Sequence, residues 1–229
     1  MSRGMVLEDV VCIGRTFHEY VRMFALNEAD LINQTVLDCP AGVCSFTAEA
    51  AAKGIHAVAS DVAYAFTAED LHAKGLIDLE TIKEAMLPTQ DRYVWTEYGN
   101  IEGLAKERMT ALKTAIADRL AYPARYIEAT LPHLPFSDEH FDLVLSAHFL
   151  FLYDDHFDVT FHTRSLEELL RVCRKELRIY PLVGLHGKAS KSFEPCKQLA
   201  IALGHKVTIE PVPYEFLKGA TSMMRIQKR

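Results

Sequence analysis

Val36-Leu37-Asp38-Cys39-Pro40-Ala41-Gly42-Val43-Cys44-Ser45-Phe46 is the stretch whose reading decides the fold. The short apolar run Thr35 to Asp38 reads as a buried strand. A turn of small residues follows it. Next comes the alanine-rich segment Ser45 to Lys53, helical in pattern, with Gly54 as its stop. Ile55 to Ser60 is a second apolar run and ends at Asp61. Strand, small-residue turn, helix and strand in that order make a βαβ unit. In open sheets of this kind, ligands lie beyond the carboxyl ends of the strands, beside such turns.

The turn itself narrows the ligand. A dinucleotide fingerprint has the form G-x-G-x-x-G and aims backbone amides at a pyrophosphate. Here Pro40, which has no N–H, stands at the first glycine position, and Gly42 is the one true glycine of the turn. Such a turn suits a ligand whose only anion is one amino-acid carboxylate. Asp61 closes the next strand, where an acid can accept hydrogen bonds from both hydroxyls of a ribose. The plainer alternatives are a helix N-cap for Asp61 and a loop-stabilising carboxylate for Asp38.

The alternation of strand and helix continues along the chain. Thr16 and Glu19 have capping-box spacing, ahead of a helical stripe of Phe17, Tyr20, Val21 and Phe24. Arg125 to Glu128 and Phe141 to Ser146 read as strands, the second apolar enough to be covered on both faces. Ser165 and Glu168 read as a second capping box that opens a helix with Leu166, Leu169, Leu170, Cys173 and Leu177 on one side. Leu177 to Val183 is a strand candidate, Phe193 to Leu203 a helix, and Lys206 to Ile209 and Ser222 to Gln227 closing strands. The pattern predicts an α/β fold: a doubly wound, mostly parallel, seven-stranded sheet in a single domain over 1–229. An N-terminal helical extension is expected at 1–34 and a helical insertion at about 65–122. The insertion carries an aromatic patch (Arg92, Tyr93, Trp95, Tyr98) and an amphipathic helix with Met109, Leu112, Ile116 and Leu120.

Bulk properties limit the function classes. The net charge of −6 works against broad binding to phosphate backbones, so nucleic acid is not the expected partner. The five cysteines include no Cys-x-x-Cys pair, which points to free thiols in a reducing compartment rather than a zinc ribbon or disulfide framework. No apolar run reaches a membrane-spanning length, and the N-terminus carries acids and no signal-peptide core. The expectation is a cytoplasmic monomer or homodimer. Asp154, Asp155, His156, Asp158 and His162 form an acid–histidine cluster, read as a polar loop rather than a metal site, and no metal is expected.

Three blocks together resemble the class I (Rossmann-like) S-adenosylmethionine-dependent methyltransferases. They are Val36–Phe46 for the glycine-rich motif, Val58–Val62 for the ribose acid, and Tyr126–Tyr153 for the adenine loop and fourth strand. The run Leu134-Pro135-Phe136-Ser137-Asp138-Glu139-His140-Phe141-Asp142 followed by Leu143-Val144-Leu145-Ser146 is the most specific of these. The resemblance implies a Rossmann-like methyltransferase fold with S-adenosylmethionine as cofactor. It places Asp38, Pro40, Ala41 and Gly42 beside the methionine part, Asp61 and Val62 at the ribose, Thr130 and Leu131 at the adenine, and Ser146 beside the methyl donor. Pro40, Cys44 and Thr130 stand where the family usually has two glycines and an acid. His148, just past the fourth strand, is the candidate base, with Tyr153 as a second choice and Arg15 as a clamp for the cofactor carboxylate. The expected acceptor is a small molecule. The alternatives left open are a nucleotide-dependent oxidoreductase and a non-catalytic methyltransferase-like binding or interaction module.

Overall fold

The alternating strands and helices assemble as one sheet between helical layers. The structure is a computed structural model and describes residues 11–229. The part of the expected N-terminal extension at 1–10 lies outside the described residues. Seven strands run in the order β3-β2-β1-β4-β5-β7-β6. They are β1 (Thr35–Asp38), β2 (His56–Asp61), β3 (Tyr126–Glu128), β4 (Phe141–Ala147), β5 (Cys173–Tyr180), β6 (Lys206–Pro211) and β7 (Ser222–Gln227). β1 to β5 pair in parallel, and β7 is antiparallel to both β5 and β6. The chain order reverses between β1 and β4, and a ligand crevice opens at such a switch point. All seven residues of β4 are buried, as expected for a central strand covered on both faces.

The helices are α1 (Phe17–Met23), α2 (Glu28–Leu31), α3 (Phe46–Ala52), α4 (Ala68–Met86), α5 (Ile101–Ala121), α6 (Val159–Val172) and α7 (Phe193–Ala202). α1 starts at the capping box read from the sequence: the Thr16 hydroxyl accepts from the Glu19 amide and the Glu19 carboxylate accepts from the Thr16 amide. Among the described residues, no helix is long and apolar enough to cross a membrane.

The inserted region is smaller than the expected 65–122. Leu112 of α5 packs with Val43, Ala59 and Tyr126, so α5 is the crossover helix that a parallel β2–β3 connection requires. The added part is α4 and the connector 87–100. The buried face of α5 also differs from the expected stripe. It carries Ile101, Leu104, Arg108, Ala111, Leu112 and Ala115, while Leu120 is 59% exposed. Arg108 takes a core position because its charge has a partner there.

Two other boundaries move. α6 begins at Asp158, whose carboxylate caps the Phe161 amide at 2.7 Å, and Ser165 lies inside the helix. Glu168 accepts instead from the Leu134 amide and pairs with Arg171. The strand expected at Leu177–Val183 starts four residues earlier, at Cys173, directly after α6. Asp154 accepts from the Ser192 hydroxyl (2.8 Å) and the Lys191 amide (2.6 Å), which ties together the loops after β4 and β5.

The excursions from the sheet meet at Glu19. Its carboxylate takes two bonds from the Arg108 guanidinium, each 2.7 Å long, and also accepts from the hydroxyls of Tyr98 (2.5 Å) and Tyr214 (3.1 Å). α1, the connector, α5 and the loop before β7 are thereby joined at one buried point. Burial alone would raise the Glu19 carboxyl, but Arg108 outweighs it and holds the group down to about 2.

Removing one member of a buried pair strands the other charge, so Arg108→Ala should lower stability by about 3–5 kcal/mol. Replacing both with apolar residues (Glu19→Leu with Arg108→Met) should cost less than Arg108→Ala alone. Urea unfolding of the three proteins checks the order. Acid sensitivity should also have a defined sign. Burial pushes His162 below the ordinary histidine range, only partly offset by the Asp154 carboxylate 3.8 Å away. Below the unfolded value of about 6.5 the unfolded chain then binds the extra proton, so stability falls as pH drops through that value toward the folded one. His162→Leu should flatten this slope in unfolding curves taken between pH 8 and 5.5.

Candidate active site

The turn after β1 is built as a floor rather than a row of donors. The Ala41 amide donates to the Ser60 carbonyl (3.1 Å) and the Cys44 amide to the Ala41 carbonyl (3.0 Å). The Gly42 amide donates to Asp61 Oδ2 at 2.7 Å. Pro40 has no amide to give. Gly42 has φ +53, a left-handed conformation that glycine adopts without steric cost. A turn that spends its amides inside the protein cannot cradle a pyrophosphate, which argues against a dinucleotide.

Asp61 sits at the end of β2, 9% exposed. Oδ1 accepts from the Ala63 amide (2.8 Å) and Oδ2 from Gly42. Burial raises its carboxyl, and these two amides counter that rise. A carboxylate offers about four lone-pair positions, so two remain for a ligand. The N-cap reading of Asp61 is therefore also correct: one oxygen caps the turn at Val62–Ala65.

Above this floor lies a cavity of about 450 Å³. Eight of the expected site residues line it: Pro40, Ala41, Gly42, Asp61, Val62, Thr130, Leu131 and His148. Arg15 and Tyr153 line it as well. Two expected residues do not. Asp38 is fully buried under Tyr20, whose hydroxyl lies 2.9 and 3.0 Å from its two oxygens. Asp38 shares a strand face with Val36, and that face looks toward α1. Burial pushes its carboxyl well above the usual carboxylate range, the Tyr20 hydroxyl offsetting part of the rise. Ser146 shares the opposite face of β4 with Val144, in the core that includes α6, so Ala147 takes its place at the cavity wall. The sequence reading missed Ala147, and also Phe149, Phe157 and Phe161, an aromatic cluster whose 157 and 161 rings stack at 4.3 Å. The i, i+4 spacing of Phe157 and Phe161 was the available signal.

The segment 11–15 closes one side. The Cys12 amide donates to Asp78 of α4 (2.7 Å), and the Arg15 carbonyl accepts from the Ser45 amide (2.9 Å). Gly14 lies against the backbone of Val43, where an added Cβ would come within 2.1 Å of the carbonyl oxygen. The strap holds the Arg15 side chain at the cavity, where Nη1 donates to the Ile13 carbonyl (3.1 Å) and Nε has no protein partner.

His148 is the most unusual residue of the wall. It has φ +52 and donates its amide to the Tyr180 carbonyl at 2.6 Å. Histidine is among the few side chains enriched in this region. Its ring stands edge-on to Tyr180 at 5.2 Å, and Nδ1 has no protein partner. Burial, then the charges of Arg15 and Arg108, lower it well below the ordinary histidine value, so the imidazole is neutral.

S-adenosylmethionine fits these residues. The free lone pairs of Asp61 suit two ribose hydroxyls, the small residues at 40–42 leave space, and Arg15 offers an unpartnered donor to a carboxylate. Residues 101–180 match the family model described as a methyltransferase domain. The chain is 36% identical to the uncharacterised protein MJ0045 of Methanocaldococcus jannaschii over 227 residues, 99% of this chain and 100% of that one. Among solved structures, the magnesium protoporphyrin IX methyltransferase of Synechocystis with bound S-adenosylmethionine aligns at TM-score 0.48 and 11% identity, covering 88% of this chain and 73% of that one. The 1,6-didemethyltoxoflavin-N1-methyltransferase of Burkholderia thailandensis aligns at 0.44 and 16%, covering 88% and 76%. At such scores and identities, neither says anything of this chain's substrate. Kinship with MJ0045 spans the whole chain, so the chain belongs to the family of that uncharacterised protein, and residues 101–180 within it match the methyltransferase domain.

Proposed function

We propose that this protein transfers a methyl group from S-adenosylmethionine to a small-molecule acceptor. The observation that carries the reading is the Asp61 carboxylate, fixed by the Gly42 and Ala63 amides at the wall of a cavity that also reaches Thr130, Leu131 and His148. Asp61 holds the ribose, with Val62 beside it. Thr130 and Leu131 flank the adenine. Pro40, Ala41 and Gly42 floor the methionine part, and Arg15 pairs with its carboxylate. When bound, the cofactor supplies a methyl group on a sulfonium, an electrophile that needs no further activation.

The protein's share is then to hold the acceptor in line and to take its proton. Positioning alone supplies much of the rate in such a displacement. His148 Nδ1 accepts the hydrogen bond of the acceptor's O–H or N–H and so aims the lone pair. Its lowered basicity keeps the ring unprotonated across the neutral range. A weak base suffices, because an acceptor that has begun to share its lone pair becomes strongly acidic. The cavity's apolar walls keep water out of this path.

Isothermal titration tests the reading. The folded protein should bind both S-adenosylmethionine and its demethylated product, and Asp61→Asn should weaken both by roughly 10–100-fold, the worth of hydrogen bonds to a charged group. Absence of binding by a protein with a normal thermal transition would refute it. His148 carries its own check, an NMR titration of the imidazole. The ring should remain neutral to well below pH 6.5, and His148→Asn, which tolerates the same backbone conformation, should leave affinity for the demethylated product within about twofold.

A further inference from the structure

We propose that the acceptor is a neutral, planar aromatic compound carrying an O–H or N–H group, whose ring edge enters a chamber behind His148. The assignment deepens the methyltransferase reading and rests on it. A second cavity of about 70 Å³ continues the first, and His148, Arg15, Ile13, Ile82, Leu152 and Leu185 wall both. Its far side is closed by Met86, Tyr93, Leu104, Phe216 and Leu217. These come from α4, the connector, α5 and the loop before β7, and the last three are also joined at Glu19.

Size limits the ligand. The chamber is about half of the ~150 Å³ that an apolar cavity uses to take up benzene, so it admits the leading edge of one ring while the rest stays in the larger cavity. Shape and polarity point the same way. The Tyr93 and Phe216 rings stack at 4.9 Å and 26°, giving the far wall a rigid aromatic body.

Charge argues against a protonated amine. Among the described residues, no carboxylate lines the chamber. Its charged groups are Arg15 and Arg108, and His148 is neutral. The Arg108 charge is met by Glu19, and that of Arg15 by the cofactor carboxylate on the reading above. A cationic acceptor would be desolvated against two guanidiniums with no acid to receive it. An anionic acceptor would have to compete with Glu19 and the cofactor for those guanidiniums. A neutral phenol, indole or benzimidazole avoids both costs. Its O–H or N–H meets His148 Nδ1, a buried acceptor with no partner in the protein.

The test uses the full chain with the demethylated cofactor product bound, and indole, 2-naphthol, benzylamine and benzoate as probes. Indole and 2-naphthol should bind at one site, benzylamine and benzoate at least about tenfold more weakly, a gap of ~1.4 kcal/mol. Leu217→Trp fills the chamber from the loop, and Leu104→Phe from α5. Each should weaken indole binding about tenfold or more while affinity for the demethylated product stays within about twofold. With S-adenosylmethionine present, mass spectrometry should find a singly methylated neutral probe. Benzylamine binding as tightly as indole, or indole binding indifferent to both variants, would overturn the assignment. Failure of the protein to bind either cofactor form would instead sink the methyltransferase reading, and the titration without probe reports that separately.

Discussion

Three of the excursions from the sheet converge with α1 on one desolvated charge pair, Glu19 with Arg108. The pair lies in a dry interior where either charge alone would be prohibitive. It is tolerated because the two guanidinium nitrogens and two tyrosine hydroxyls satisfy the carboxylate together. That requirement is geometric. Residues 89 and 195 positions apart must arrive at one point before the carboxylate is fully bonded. Such a junction rewards only the closed arrangement of α1, the connector, α5 and the loop before β7, while the strap at 11–15 is held separately through Asp78 and Ser45.

A second coupling works on a smaller scale. The Gly42 amide bonds to the Asp61 carboxylate, which links the turn after β1 to the end of β2. Each half of the cofactor site thereby fixes the other. The Asp61 carboxylate is held by two backbone amides, and on the proposed reading this lowers the ordering entropy that ribose binding would otherwise cost. The same bond uses the amide that a pyrophosphate would need. On the proposed reading, one hydrogen bond therefore both prepares the site for an adenosyl amino acid and works against a dinucleotide.

The division of labour follows the layers. The strand ends and the turns after them hold the residues proposed for the cofactor, which belong to the regular part of the fold. The chamber proposed for the acceptor is walled by α4, the connector at 87–100 and the loop before β7, which the parallel sheet does not require, together with α5, which it does. His148 stands at the boundary, in a left-handed conformation with its amide bonded to Tyr180, and lines both cavities.

What the sequence by itself determined was local. The βαβ unit, the acid closing β2, the apolar run of β4 and the histidine after it rest on periodicity and on signals within a few residues of each other. What it could not reveal depended on partners far along the chain. Asp38 reads as a ligand-facing acid until Tyr20 is seen to cap it. Arg108 takes a core position on α5 that apolar periodicity does not single out, because Glu19 lies across from it, and the buried face keeps Leu112 of the expected stripe but not Leu120. Ser165 and Glu168 have the spacing of a helix start, yet the helix starts at Asp158. Tertiary structure alone decided these, because burial of a polar group is affordable only where a partner waits, and the partner's position is a property of the fold.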